Sequence, residues 1–150
     1  MNREVPALPS GNGYPDLLEM WRALLDGDWA SLAVVPGAPD VSVQLVCDAL
    51  DEVVAGMKGE VRVIDARGLE VAESKRVALE LSRAVAGGQR AVAFVDSVID
   101  RLAPLHLVRE ATAVLLVIRV GRLHLDALTS TLSAIGAQRI LGTVAAAGES

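Results

Sequence analysis

The sequence is poor in aromatic residues, in cysteine and in basic charge. Phe, Trp and Tyr make up 3% of its 150 residues, whereas apolar residues make up 52%. A core must therefore be built from Val, Leu, Ile and Ala, which suits a buried parallel sheet covered by helices. The single cysteine, Cys47, excludes an internal disulfide, and its place on an apolar helical stripe predicts a core residue. A net charge of −5 argues against a nucleic-acid partner, because phosphate binding needs a basic surface.

Long apolar runs and clustered metal ligands are also lacking. The most apolar segment, residues 113–118, is much too short to span a bilayer, so we expect no direct membrane insertion. The first 13 residues lack the basic start and apolar run of a signal peptide, which predicts a cytoplasmic protein. His106 and His124 have no ligand spacing with Cys47. We expect neither a metal site nor a bound cofactor.

From residue 14 onwards, short apolar segments alternate with segments of helical periodicity. Residues 1–13 are rich in Pro, Gly and Asn and are predicted to form a flexible segment, while residues 14–150 form one domain. The strand candidates are 31–35, 61–65, 91–96, 113–118 and 140–145, and the helix candidates are 15–25, 43–55, 73–86, 104–110 and 125–135. This alternation predicts an α/β three-layer sandwich, with a mostly parallel sheet of five or more strands covered by helices on both faces.

The segment 31–50 has the strand, tight loop and helix with which P-loop NTPases hold phosphates. A working loop needs glycine N–H groups aimed at the phosphates, a lysine, and a Ser or Thr for Mg²⁺. Two prolines remove N–H groups here, and we expect Asp40 to cap the following helix. The loop residues are Pro36, Gly37, Ala38, Pro39, Asp40, Val41 and Ser42.

Charged residues follow the predicted strands at the sheet edge where ligands bind in such folds. They are Asp40, Asp65, Arg67, Asp96, Arg119 and Arg122. Asp65 and Asp96 are either relics of metal and water positioning or simple caps and ion-pair partners. The arginines Arg67, Arg119 and Arg122 either bind an anion or neutralise the aspartates, and we favour a charge network that fills the site.

The order of segments resembles the cytoplasmic ATPase domain of the bacterial tyrosine autokinases of capsule and exopolysaccharide assembly. More broadly, it is similar to the deviant P-loop ATPases that include partition and division-site positioning proteins. The resemblance covers residues 16–145 and is most specific in 113–144, AVLLVIRVGRLHLDALTSTLSAIGAQRILGTV. Asp96 takes the place of the Walker B aspartate, and Asp65 that of the first acidic residue in the kinases' second aspartate motif. The resemblance implies a P-loop NTPase-like fold.

The departures from the family pattern concern the chemistry. Asp40 stands where the family has its phosphate-binding lysine, and Val41 where it has the Mg²⁺-binding hydroxyl. At an effective dielectric of about 20, a unit charge pair about 4 Å apart is worth roughly 4 kcal/mol, so this reversal of charge opposes ATP binding. Arg67 replaces the second aspartate of the kinase motif. We therefore expect no enzyme activity.

The resemblance then implies a pseudo-ATPase that binds or scaffolds other proteins. Its partner would be a membrane polysaccharide co-polymerase or an active kinase paralogue, and homo-oligomers are expected because the family self-associates. A residual ATPase or tyrosine autokinase is one alternative. A positioning or pilus-assembly relative of the partition ATPases is another.

The first helix and the residues after it are the candidate protein interface. Glu19 and Arg22 resemble the start of a Glu-x-x-Arg-x-x-Arg motif that builds kinase rings, although its last position is Leu25. Trp21 is expected to pack inward and Trp29 to be partly exposed, as aromatic residues at contact surfaces are. A core role for both tryptophans is the other interpretation.

Overall fold

The computed structural model describes residues 14–57, 59–99, 101–119 and 125–146, so the segment 1–13 that is predicted to be flexible lies outside the described residues. In chain order the elements are α1 (Tyr14–Leu25), β1 (Ser31–Pro36), α2 (Gln44–Val54), β2 (Val61–Asp65), α3 (Val71–Ala86), β3 (Arg90–Phe94), α4 (Ala103–Glu110), β4 (Ala113–Arg119), α5 (Leu125–Ile135), a 3-10 turn (Ala137–Arg139) and β5 (Ile140–Ala146). None of the described helices is long and apolar enough to cross a membrane.

The five strands form one parallel sheet in the order β2-β3-β1-β4-β5. All six residues of β1 are buried, which is why this segment is an unbroken apolar run. The chain passes from β1 to one edge of the sheet through α2 and then returns across β1 to the other edge. Right-handed crossovers in opposite directions place α2 on the opposite face from α3, α4 and α5.

The residues of β1 alternate between the two cores that these layers create. Leu32 and Val34 pack with α1 and α2, whereas Ala33 and Val35 pack with α3, α4 and α5. Both faces of the sheet are therefore covered by helices. The predicted α/β three-layer sandwich is confirmed.

Two predicted boundaries are wrong by two residues. Helix α3 begins at Val71 rather than at 73, because a capping box between Glu70 and Glu73 supplies partners for the first backbone N–H groups. Strand β3 ends at Phe94, and Asp96 lies in the following loop rather than on the strand. The Val95 N–H still donates to the Val34 carbonyl at 3.1 Å, so the chain leaves the sheet only after that bond.

Both tryptophans belong to the core on the α1 and α2 side of the sheet. Trp21 is fully buried as predicted, meets Phe94 edge-on with ring centroids 6.3 Å apart, and donates from Nε1 to the Val46 carbonyl. The expected partial exposure of Trp29 is wrong, since this residue is 4% exposed. Its Nε1 donates to the Leu24 carbonyl at 2.7 Å, and the Arg90 guanidinium covers its ring at 4.9 Å. Neither indole is available to a partner.

Gly37 directly follows β1 and lies against β4 and α5. A Cβ atom there would lie 3.3 Å from both the Val117 carbonyl oxygen and Cγ2 of Ile118, and 3.5 Å from Cδ1 of Leu128. The Gly37 N–H also donates to the Val117 carbonyl at 2.8 Å. Because glycine has no side chain, the backbone at Gly37 can come this close to β4 and α5.

We expect Gly37→Ala to lower the free energy of unfolding by about 1–2 kcal/mol, because the added methyl group must displace packed neighbours. Urea denaturation measures this change. Gly56→Ala is the matched control, since a Cβ atom at Gly56 would meet nothing within 4 Å. Equal stability of the two variants would show that the packing around Gly37 tolerates a methyl group.

Candidate functional site

A cleft of about 330 Å³ opens where β1 and β3 end. The helix that follows β1 and the helices that follow β3 and β4 lie on opposite faces of the sheet, so a crevice forms at the carboxyl end of β1. The walls of the cleft come from three loops. Its lining residues are Pro36, Pro39, Val41, Ser42, Val43, Arg67, Val95, Asp96, Ser97 and Arg101.

The loop between β1 and α2 is closed by its own hydrogen bonds. The Val41 N–H donates to the Ala38 carbonyl at 3.1 Å, which makes a four-residue turn with Pro39 in its second position. Helix α2 starts only at Gln44, whose N–H donates to Ser42 Oγ at 3.1 Å. The expected N-cap role of Asp40 is wrong, because the N-cap residue is Val43, three positions later.

Arg67 joins the end of β2 to the first turn of α2. Its Nε and Nη2 donate to the two carboxylate oxygens of Asp65 at 2.7 and 2.8 Å, and its Nη1 donates to Gln44 Oε1 at 2.9 Å. Gln44 in turn donates to Asp48 one helical turn later. The hydrogen bonds from Arg67 lower the pKa of Asp65, and the carboxylate raises the pKa of Arg67. Each of the two residues therefore stabilises the charged form of the other at neutral pH.

Asp96 connects the loops that follow β2 and β3. Its Oδ2 accepts the Gly68 N–H at 2.6 Å and Nη1 of Arg101 at 3.1 Å. Arg101 also donates to the Leu69 carbonyl. Gly68 has a φ of +79°, a left-handed conformation that favours glycine and turns its N–H towards the carboxylate. Asp96 therefore holds the two loops together through hydrogen bonds.

The structure brings together part of the predicted charge network. Arg67 neutralises Asp65 as expected, whereas Asp96 pairs with Arg101, which the sequence analysis did not identify. The available signal was an arginine five residues after the aspartate, in the same loop. Arg119 ends β4 and is half-buried. Arg122 lies outside the described residues, so a network that includes these two arginines stays a prediction.

The remaining candidate groups offer little chemistry. Cys47 is buried, and burial raises the pKa of its thiol to about 11, so it is protonated at neutral pH and weakly nucleophilic. Within residues 14–57, 59–99, 101–119 and 125–146, no group of three or more His, Cys, Asp or Glu residues is placed to hold a metal ion. Glu19 and Arg22 are exposed on α1.

Substitution of Asp65 tests the ion pair with Arg67. The folded-state pKa of Asp65 is lowered, so the pair stabilises the fold above the usual carboxyl pKa, and this contribution is lost as the pH falls through the lowered value. Because the pair is partly solvated, we expect Asp65→Asn to cost about 0.5–1 kcal/mol at pH 7 and much less near pH 3. Urea unfolding at both pH values measures the difference.

A double-mutant cycle with Arg67→Gln isolates the coupling between the two side chains. A cost of Asp65→Asn that is the same at both pH values would rule out this role for the carboxylate.

Comparison with known proteins identifies the fold. No family model and no curated protein matches the sequence. Among solved structures, the chain is similar to the kinase domain of Escherichia coli tyrosine kinase ETK, with a TM-score of 0.70 and 12% sequence identity. The match covers 91% of this chain and 77% of that domain. The predicted resemblance is therefore confirmed at the level of the fold, and this chain has the parallel α/β architecture of a bacterial tyrosine kinase domain.

Proposed function

We propose that the protein is a pseudo-ATPase, a P-loop-like domain that binds or scaffolds other proteins and transfers no phosphate. The observation that carries the proposal is that several backbone N–H groups in the loop between β1 and α2 are either missing or already hydrogen-bonded. Pro36 and Pro39 have none. The N–H groups of Gly37, Val41 and Gln44 are already bonded within the protein. These five positions therefore have no N–H group to direct at a triphosphate unless the loop breaks its own hydrogen bonds.

The charges around the cleft oppose nucleotide binding as well. Asp40 occupies the position of the phosphate-binding lysine in the family pattern. The two basic side chains that line the cleft, Arg67 and Arg101, each form an ion pair with an aspartate. The paired aspartates neutralise the positive charge that would attract a phosphate, and a phosphate that displaced one of them would break a hydrogen-bonded charge pair, which is costly. The same pairs stabilise the loops in the absence of a ligand.

The binding role follows from a fold that is retained while its loop chemistry is replaced. The similar E. coli domain belongs to a tyrosine kinase, and this chain keeps its architecture over 91% of its own length. We propose that the partner is a membrane polysaccharide co-polymerase or an active kinase paralogue, which the protein regulates by mixed assembly. Glu19 and Arg22 provide exposed charge for such a contact.

Isothermal titration with Mg-ATP tests the absence of nucleotide binding. We expect a Kd weaker than about 1 mM. Asp40→Lys is expected to tighten binding at least about tenfold, because it removes a repulsive charge and adds an attractive one. Glu60→Lys is the matched control. It makes the same change in charge just before β2 begins, at the ends of the strands that lie away from the cleft. Micromolar affinity in the unmodified protein would refute the proposal.

The scaffold role needs a separate experiment in the native host. Affinity purification of the full chain should recover a kinase paralogue or a polysaccharide co-polymerase, and Arg22→Glu should reduce that recovery. Recovery of neither protein class, from cells in which both are expressed, would contradict the assigned partner. It would leave the nucleotide result unaffected.

A further inference from the structure

Helix α3 has an outward side on which charges of opposite sign alternate. Glu73, Arg76, Glu80 and Arg83 are separated by three, four and three residues, so they lie along one side of the helix. Glu73, Arg76 and Arg83 are exposed, and Glu80 is partly exposed beside Arg62. Leu79 lies beside this row of charges and is 51% exposed. We name this surface, Glu73, Arg76, Leu79, Glu80 and Arg83, the α3 face.

The order of the charges makes the α3 face complementary to itself. When two copies are placed antiparallel about a two-fold axis that passes the charged side of α3 at the level of residue 78, Glu73 of each copy lies opposite Arg83 of the other. Arg76 of each copy likewise lies opposite Glu80 of the other. A two-fold arrangement repeats every contact, so four attractive pairs form and no like charges of this row are opposed.

Leu79 lies at the margin of the charge row, on the side towards α4. It borders a groove of about 280 Å³ between α3 and α4, whose other lining residues are Lys75, Ala78, Ser82, His106 and Glu110. Partial burial of this exposed leucine in the dimer adds a hydrophobic term to the charge pairs.

The opposite side of the molecule is unsuited to self-association. The α1 and α2 layer, with the loop after α1, carries seven acidic residues and one arginine, which are Asp16, Glu19, Asp26, Asp28, Asp48, Asp51, Glu52 and Arg22. Two such surfaces repel each other. Helix α3 carries two acidic and three basic residues. Electrostatics therefore favours the α3 face over the α1 and α2 layer as the contact between copies.

The hydrogen bonds and ion pairs within the chain leave the carboxylates of the α3 face able to bind a second copy. Glu80 binds Arg62, and Glu73 accepts the Glu70 N–H at 2.9 Å. A carboxylate has about four acceptor positions, so each can accept a second donor. We propose that the protein forms an antiparallel two-fold dimer through the α3 face, which is independent of whether the cleft binds nucleotide.

Sedimentation equilibrium over a range of concentrations tests this dimer. One helix pair buries less than the roughly 1,600 Å² of a standard interface, so we expect weak association, with a Kd of about 10–100 μM. Each of the variants Arg76→Glu and Glu80→Arg places two like charges opposite each other at two symmetric positions in the dimer. Each variant should therefore weaken the dimer at least about tenfold. Asp51→Arg makes the same charge change as Glu80→Arg, but on α2 at the opposite face of the sheet, and should leave the Kd unchanged.

Mixing the two variants provides the decisive measurement. In the mixed dimer, Glu at position 76 faces Arg at position 80, and the unmodified Glu80 faces the unmodified Arg76. An equimolar mixture of Arg76→Glu and Glu80→Arg should therefore associate with about the affinity of the original protein. Thermal melts of each variant verify that it is folded.

A protein that stays monomeric up to about 1 mM would overturn the proposal. So would single variants that associate as tightly as the original, or a mixture of folded variants that stays monomeric. Added salt should weaken the original dimer, because its charge pairs lie near the surface.

Discussion

The complete burial of β1 is the constraint on which the rest of the structure depends. Its side chains alternate between the two cores, so each helical layer is packed against this one strand. Displacing β1 would open both layers at once. The loop that follows β1 therefore leaves the sheet from a fixed point, and Gly37 permits the close contact with β4 and α5 that holds it there.

The cleft beyond β1 brings charged side chains together at one edge of the sheet. Ligands of parallel α/β folds bind at this edge because the ends of several strands and helices meet there. In this chain each aspartate pairs with an arginine of its own segment, and further hydrogen bonds from these residues join different loops. Arg67 connects β2 to α2, and Asp96 connects two further loops. These charged groups stabilise the loops around the cleft.

The sequence predicts the fold because the strands are short, continuous and apolar, and because the helices have clear periodicity. Residues such as Val46, Cys47 and Leu50 lie on the buried side of α2 as their spacing indicates. The pairing of Asp65 with Arg67 was also predictable, since the two residues lie two positions apart at the end of one strand. Arg101 was missed because its pairing with Asp96 depends on how their loop folds, and no periodicity indicates that. Trp29 was misjudged because its cover, Arg90, is distant in the sequence.

The bond between Asp96 and the Gly68 N–H has a consequence for genetics. An aspartate in a Walker B position is normally read as a catalytic residue, so an inactive mutant there is attributed to lost chemistry. In this protein the carboxylate ties two loops together, and its removal would release the Gly68 N–H and Arg101 at the same time. Under the proposed function, a mutant phenotype at Asp96 would therefore reflect a lower amount of folded protein in the cell.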